Sequence, residues 1–166
     1  MNCTKLTSIL LLVAIMITPS LAQKDADDTV TIVYQCDFAD PKRVHLLLNT
    51  LNNVVKHYQT NFVDFEVNLV ALGPCLQYVM KDFKDTRFMK KPYIDKGGPT
   101  GAGTASRLKI LQQQAGDSLE IYACGNTMQN NNVKPEQIAD NVKITPSGII
   151  KIVERQKEGY AYIKIK

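Results

Sequence analysis

The sequence predicts an alternating α/β domain, with parallel strands joined by right-handed crossovers and helices on both faces of the sheet. Three observations carry this. Apolar runs of strand length alternate along the chain with segments of helical periodicity. The first run, Thr29 to Gln35, is β-branched and lacks strong polar alternation, as a strand buried on both faces would. Three cysteines, Cys36, Cys75 and Cys124, each lie just beyond a predicted strand. In open α/β sheets the ligand crevice lies outside the carboxyl ends of the strands, so these thiols point to one functional rim.

The first residues read as an address. Lys5 gives a positive start, Ile9 to Ile17 is an apolar run of signal-peptide length, and Ser20-Leu21-Ala22 is a small-x-small cleavage site. Residues 1–22 are therefore expected to be a secretory signal peptide, too short for an ordinary transmembrane helix. Residues 23–166 are expected to form a single domain, periplasmic or secreted. Cys3 leaves with the signal. No second apolar span follows, so no membrane association is expected after cleavage. The whole chain has 166 residues and a formal net charge of +4, too small by itself to point to nucleic acid.

The elements follow in order. After the strand Thr29 to Gln35, Asp40-Pro41 opens a helix, with Asp as N-cap and Pro at the first helical position. Val44, Leu47, Leu48, Leu51, Val54, Val55 and Tyr58 keep helical spacing behind it. Phe65 to Leu72 is the second strand, and Gly73-Pro74 turns it into a second helix through about Phe83. Ala105 to Gln114 is a helix ended by Gly116. Ser118 to Ala123 is a third strand and Val142 to Thr145 a short fourth. Ser147 caps a helix that carries Ile149, Ile150 and Val153 and stops at Gly159, and Tyr160 to Ile165 closes the chain as a strand. Lys84 to Gly103 is the least regular stretch: five basic residues, then Gly97-Gly98-Pro99 and Gly101-Ala102-Gly103. It reads either as a lid near the thiol rim or as a solvated insertion. Gly101-x-Gly103 is not a dinucleotide fingerprint, since it follows no strand directly and lacks the third glycine.

Cys124 is the strongest candidate for chemistry. It ends a strand, Gly125 allows a tight turn, and Asn126 or Thr127 can cap a helical turn beyond. A thiol that faces helix N–H groups has a larger thiolate fraction, and the thiolate is the form that attacks sulfur. Cys36 sits at the equivalent place after the first strand. It is a possible auxiliary thiol that resolves a mixed disulfide with Cys124; it can equally form a structural disulfide, or be buried and inert. Cys75 lies beside Leu76, Val79 and Met80 at core-facing spacing, which favours packing. Asp37 is a rim acid or a turn-stabilising residue. With Asp40 it would repel an anion, which argues against a phosphate- or FMN-binding turn here. His45 and His57 lack the spacing of a helical metal pair, and no C-x-x-C is present. No cofactor and no metal is expected.

Five stretches together carry a resemblance: Val33 to Pro41, Val70 to Pro74, Ile121 to Thr127, Thr145 to Gly148, and Gly159 to Lys164. They are similar to the DsrE/DsrF-like family, and more closely to its exported members. The resemblance implies a three-layer α/β/α domain with a five-stranded, mostly parallel sheet of flavodoxin-like type. It also implies self-association into trimers or hexamers. Some members carry sulfur as a cysteine persulfide along a relay, on a cysteine that follows a mid-chain strand, and Cys124 matches that position. The expected function is thus an exported sulfur carrier or sulfurtransferase-like protein that exchanges sulfane sulfur with donor and acceptor proteins or small sulfur compounds. Two other readings stand beside it. One is a non-catalytic ligand-binding or scaffold oligomer with packed or cross-linked cysteines. The other is a redox protein that uses a Cys36–Cys124 disulfide.

Overall fold

The computed structural model describes residues 29–88 and 104–166. The expected signal peptide, and the part of the Lys84–Gly103 stretch beyond Phe88, lie outside the described residues.

The strands are β1 (Val30–Cys36), β2 (Phe65–Ala71), β3 (Leu119–Cys124), β4 (Lys143–Thr145) and β5 (Ala161–Lys164). The helices are α1 (Pro41–Thr60), α2 (Thr104–Ala115), α3 (Gly125–Asn130) and α4 (Gly148–Lys157). One five-stranded sheet has the order β4-β3-β2-β1-β5, and every neighbouring pair is parallel. This is the expected three-layer α/β/α arrangement. β1 and β2 pair over seven residues, from Val30↔Phe65 to Cys36↔Ala71.

Strand side chains alternate between two unequal cores. Ile32 and Tyr34 of β1, Val67 and Leu69 of β2, and Leu119 and Ile121 of β3 belong to the large core, with α1 and α2. The helical stripe expected of α1 supplies Val44, Leu47, Leu48, Leu51 and Val55, all buried. Asp40 is the N-cap, and its carboxylate accepts from the Lys42 N–H at 2.8 Å. Val33, Val70 and Tyr122 point the other way and pack with Ile152 of α4, Tyr160 and the partly buried Leu72.

Arg155 fastens α4 to that thinner face. Its Nε donates to Asn68 Oδ1 at 2.7 Å, its Nη1 to Glu158 at 2.5 Å, and its guanidinium lies 5.1 Å from the centre of the Tyr160 ring. Asn68 is 2 % exposed, so this bond satisfies a polar group that would otherwise be buried unpaired.

Two expectations need correction. The helix from Gly73 to Phe83 is instead a 3₁₀ helix, Gly73–Val79, after which Met80 is extended and bridges to Ile138. Cys75 to Val79 are all buried. The disulfide at Cys75 and the bridge from Met80 to Ile138 fix both ends of this short segment, which leaves no length for a helix through Phe83. Secondly, Cys36 is not an auxiliary thiol. It is joined to Cys75, with the Cα atoms 5.6 Å apart, within ordinary disulfide range. Register explains the pairing: Cys36 lies opposite Ala71, and Leu72–Gly73–Pro74 fold Cys75 back over the end of β1. At the start of the basic stretch Lys84, Asp85 and Arg87 are exposed, and two residues between and beside them anchor the chain. Thr86 and Phe88 are buried, and the Arg87 N–H donates to the Asn131 carbonyl at 3.0 Å.

Among the described residues, no helix is long and apolar enough to cross a membrane. Leu51 is fully buried between α1 and the sheet. Leu51→Ala is expected to lower unfolding free energy by about 2–5 kcal/mol in a denaturant titration, with the slope unchanged.

Candidate functional site

The site is built at the carboxyl end of β3. Cys124 pairs with Thr145 as the last rung between β3 and β4. The connections leaving these two strands part here. The one after β3 turns toward the large core, where Met128 of α3 and Val133 are buried. The one after β4 enters α4 on the opposite face, where Ile152 is buried. Neighbouring strands whose connections diverge in this way mark the position where α/β sheets bind ligands.

Cys124 is the free cysteine among the described residues and is 5 % exposed. It occupies the N-cap position of α3, so Asn126 and Thr127 lie inside the first turn rather than capping it. The Gly148 N–H donates to Cys124 Sγ at 3.2 Å. A Cβ on Gly148 would come within 3.1 Å of Cys124 Cβ and 3.2 Å of Leu72 Cβ, so only glycine lets this N–H reach the sulfur undisturbed. Gly125 also serves close approach: a Cβ there would meet the Thr145 carbonyl oxygen at 3.1 Å. Thr127 Oγ1 accepts from the Gly73 N–H at 2.9 Å, which leaves its own proton for the sulfur.

Two influences oppose each other at the thiol. Burial pushes its pKa up. The Thr127 hydroxyl, then the N–H groups of Gly148, Thr127 and Asn126, push it down more strongly, so Cys124 lies below an ordinary thiol. The Asn126 N–H is directed mainly to the Pro146 carbonyl, at 3.1 Å, and contributes least to the sulfur.

The other candidates separate from this centre. Asp37 stabilises the end of the sheet: its Oδ2 accepts from Gln35 Nε2 at 2.8 Å and pairs with Lys164 Nζ at 2.7 Å. His45 and His57 are engaged along α1, with Arg107 Nη1 2.9 Å from His45 Nδ1 and Asn61 Nδ2 3.5 Å from His57 Nδ1. A cavity of about 530 Å³ opens at the amino ends of β2 and β3, lined by Tyr58, Phe62, Phe65 and Asp117 among others. It lies at the wrong end of the strands for this thiol and contains no cysteine.

The model of the DsrE/DsrF-like family matches residues 42–165, most of the chain. The chain belongs to the DsrE/DsrF-like family. It is similar in structure to MTH1491, a protein of unknown function from Methanobacterium thermoautotrophicum, with a TM-score of 0.62 and 22% identity over 81% of this chain and 98% of that one. The ychN protein from E. coli matches with a TM-score of 0.52 and 15% identity over 81% and 98% of the two chains. BT1422, a conserved protein of unknown function from Bacteroides thetaiotaomicron, matches with a TM-score of 0.51 and 14% identity over 86% and 98%. At such identities these likenesses show the fold alone. No curated protein matches.

Within this DsrE/DsrF-like fold, Gly148 and Gly73 are the site residues that sequence reasoning missed. Both lie in stretches that carry the family resemblance, Thr145 to Gly148 and Val70 to Pro74; Gly73 reads there as a turn residue, and neither reads as a partner of Cys124 or Thr127. The alkylation rate of Cys124 with iodoacetamide, followed against pH, is expected to reach half its maximum below the ordinary thiol value. Thr127→Val is expected to move that midpoint upward, because a hydrogen bond to the charged form is lost while the burial remains. An unmoved midpoint would show that the hydroxyl does not act on the sulfur.

Proposed function

We propose that this chain is an exported sulfur carrier, or a sulfurtransferase-like protein, that holds sulfane sulfur as a persulfide on Cys124 and hands it to a partner thiol. The setting of Cys124 carries this reading: a free thiol at a strand end, sheltered from water, with its anion favoured by the Gly148 N–H and the Thr127 hydroxyl. The association of the DsrE/DsrF-like family with sulfur relay supports it.

The chemistry is two displacements at sulfur. The Cys124 thiolate attacks the terminal sulfane sulfur of a donor, a new S–S bond forms, and the donor's remaining fragment leaves as an anion. A partner's thiolate then attacks the outer sulfur of the Cys124 persulfide and takes it, and Cys124 leaves as a thiolate. The groups that favour the Cys124 anion as nucleophile also favour it as leaving group. At 5 % exposure the thiol suits small sulfur donors, such as polysulfide or thiosulfate, better than the surface cysteine of a folded protein.

Export is supported by the signal-like features of residues 1–22 and by the Cys36–Cys75 disulfide, a bond that persists in oxidising compartments. Self-association is supported by α4, whose outer side leaves Ile149, Ile150 and Val153 between 41% and 56% exposed. Ile149 and Ile150 directly follow the glycine that holds Cys124, so a neighbouring copy seated there would border the thiol.

Intact mass spectrometry without reductant, after incubation with polysulfide or thiosulfate, is the deciding test. The expected result is a gain of one sulfur atom that maps to Cys124, is removed by reductant and is absent from Cys124→Ser. Undiminished loading of Cys124→Ser would overturn the proposal. Loss of all loading in the wild type, with Cys124 unreactive until unfolded, would leave the scaffold reading instead. Light scattering is expected to give a trimer or hexamer that Ile150→Asp dissociates; an unchanged mass would place the interface elsewhere.

A further inference from the structure

The disulfide and the free thiol are joined by one short chain of contacts. The Leu72 N–H donates to the Cys36 carbonyl at 2.9 Å, and the Cys75 N–H donates to the Leu72 carbonyl at 3.2 Å. The Cys36–Cys75 bond therefore closes a small ring around Leu72 and Gly73. That corner is also a wall of the thiol site. Gly73 presents its N–H to Thr127 Oγ1, and Leu72 and Cys124 crowd the same side of Gly148. Cys124 and Thr127 are the N-cap and third residue of α3.

From this geometry we infer that the Cys36–Cys75 disulfide is a covalent support for Cys124, which holds Gly73 against Thr127 and so keeps the Thr127 hydroxyl aimed at the sulfur. The inference rests on the reading of Cys124 as the reactive thiol. Gly73 and the disulfide are positioning elements, since they act on the Cys124 sulfur only through Thr127.

Cys36 is 0 % and Cys75 3 % exposed, so a dithiol reductant reaches the bond only through local opening of the Leu72–Gly73 corner. One of its thiolates attacks a sulfur of the Cys36–Cys75 pair and forms a mixed disulfide, and its second thiol displaces the protein. Two electrons and two protons end on Cys36 and Cys75, and the reductant leaves as a disulfide. The 3₁₀ helix does not swing away when this happens. The Tyr78 hydroxyl donates to the Ala39 carbonyl at 2.5 Å, Leu76 and Val79 are buried, and the Lys81 N–H donates to the Gln137 carbonyl at 2.8 Å. Only the Leu72–Gly73 corner gains freedom. Cys124 therefore stays buried while its hydroxyl partner loses its anchor, and its reactivity falls.

The test is the alkylation rate of Cys124 in the full chain near neutral pH, read by peptide mapping. Four proteins complete the cycle: the wild type, Thr127→Val, Cys36→Ser/Cys75→Ser, and the combination. Removal of the disulfide is expected to slow Cys124 by roughly two- to tenfold, the equivalent of one net hydrogen bond. In that background Thr127→Val is expected to add little, because the two changes remove the same interaction. Brief dithiol reduction of the native wild type, quenched with acid and mapped, gives the same comparison should the double serine variant fail to fold. An unchanged or faster rate without the disulfide would overturn the inference, as would effects of the two changes that multiply independently. A Cys124 that reacts in the oxidised protein but ignores the disulfide defeats this inference alone. A Cys124 that never reacts in the folded oxidised protein defeats it together with the sulfur-carrier reading.

Discussion

The seven-residue parallel register between β1 and β2 is the constraint from which the functional end of the molecule follows. It sets Cys36 opposite Ala71, and the β2–β3 register sets Ala71 opposite Ala123. The carboxyl ends of three strands are thereby level. Parallel strands must be joined by crossovers, so every strand ends at this rim and every crossover starts there. Cys36, the Leu72–Gly73 corner and Cys124 are brought together by register, although the chain separates them widely. A slip of one residue would turn each strand's side chains to the opposite face and break up the group.

At Cys124 two opposed effects act at close range. Burial disfavours a sulfur anion. Fixed donors favour it, and they outweigh the burial because they are already in place and carry little competing hydration. The arrangement depends on close approach. Gly148 brings a backbone N–H to the sulfur from the far side of the sheet, and Gly125 lets the start of α3 lie against the β4–α4 turn. The Gly148 donor is a backbone N–H, which needs no rotamer to be frozen, whereas the Thr127 hydroxyl, the larger influence, has to be held in place by the Gly73 N–H. The thiol is thus set by the architecture of two connections more than by any charged neighbour.

The two faces of the sheet are covered unequally. The first carries α1 and α2 over an apolar core, whereas the second carries the ten-residue α4 and a polar network centred on Arg155. Glu120 shows what this face demands of its charges. Burial raises its pKa, but Lys143, the Tyr122 hydroxyl and Arg155 lower it further, so the carboxylate stays ionised. The network orients α4, and with it the glycine at its start that reaches Cys124.

The sequence by itself determined the alternation of strands and helices, the buried stripe Val44, Leu47, Leu48, Leu51 and Val55, the cap at Asp40, and the place of Cys124 at a strand end. These are local properties of period, cap chemistry and turn residues, which neighbouring positions in the chain are enough to express. Strand order, the β4–α4 turn that carries Gly148 to Cys124, and the choice of Cys75 rather than Cys124 as the partner of Cys36 were decided by the tertiary structure. So was the 3₁₀ form of Gly73–Val79, where the disulfide at Cys75 and the Met80–Ile138 bridge overrode an apolar spacing that reads as an α-helix. Cys36 and Cys75 are 39 positions apart, and only the register of β1 on β2 brings them within bonding distance. No local pattern can record such a pairing, because it depends on which strand lies beside which, and that is settled by packing the sheet as a whole.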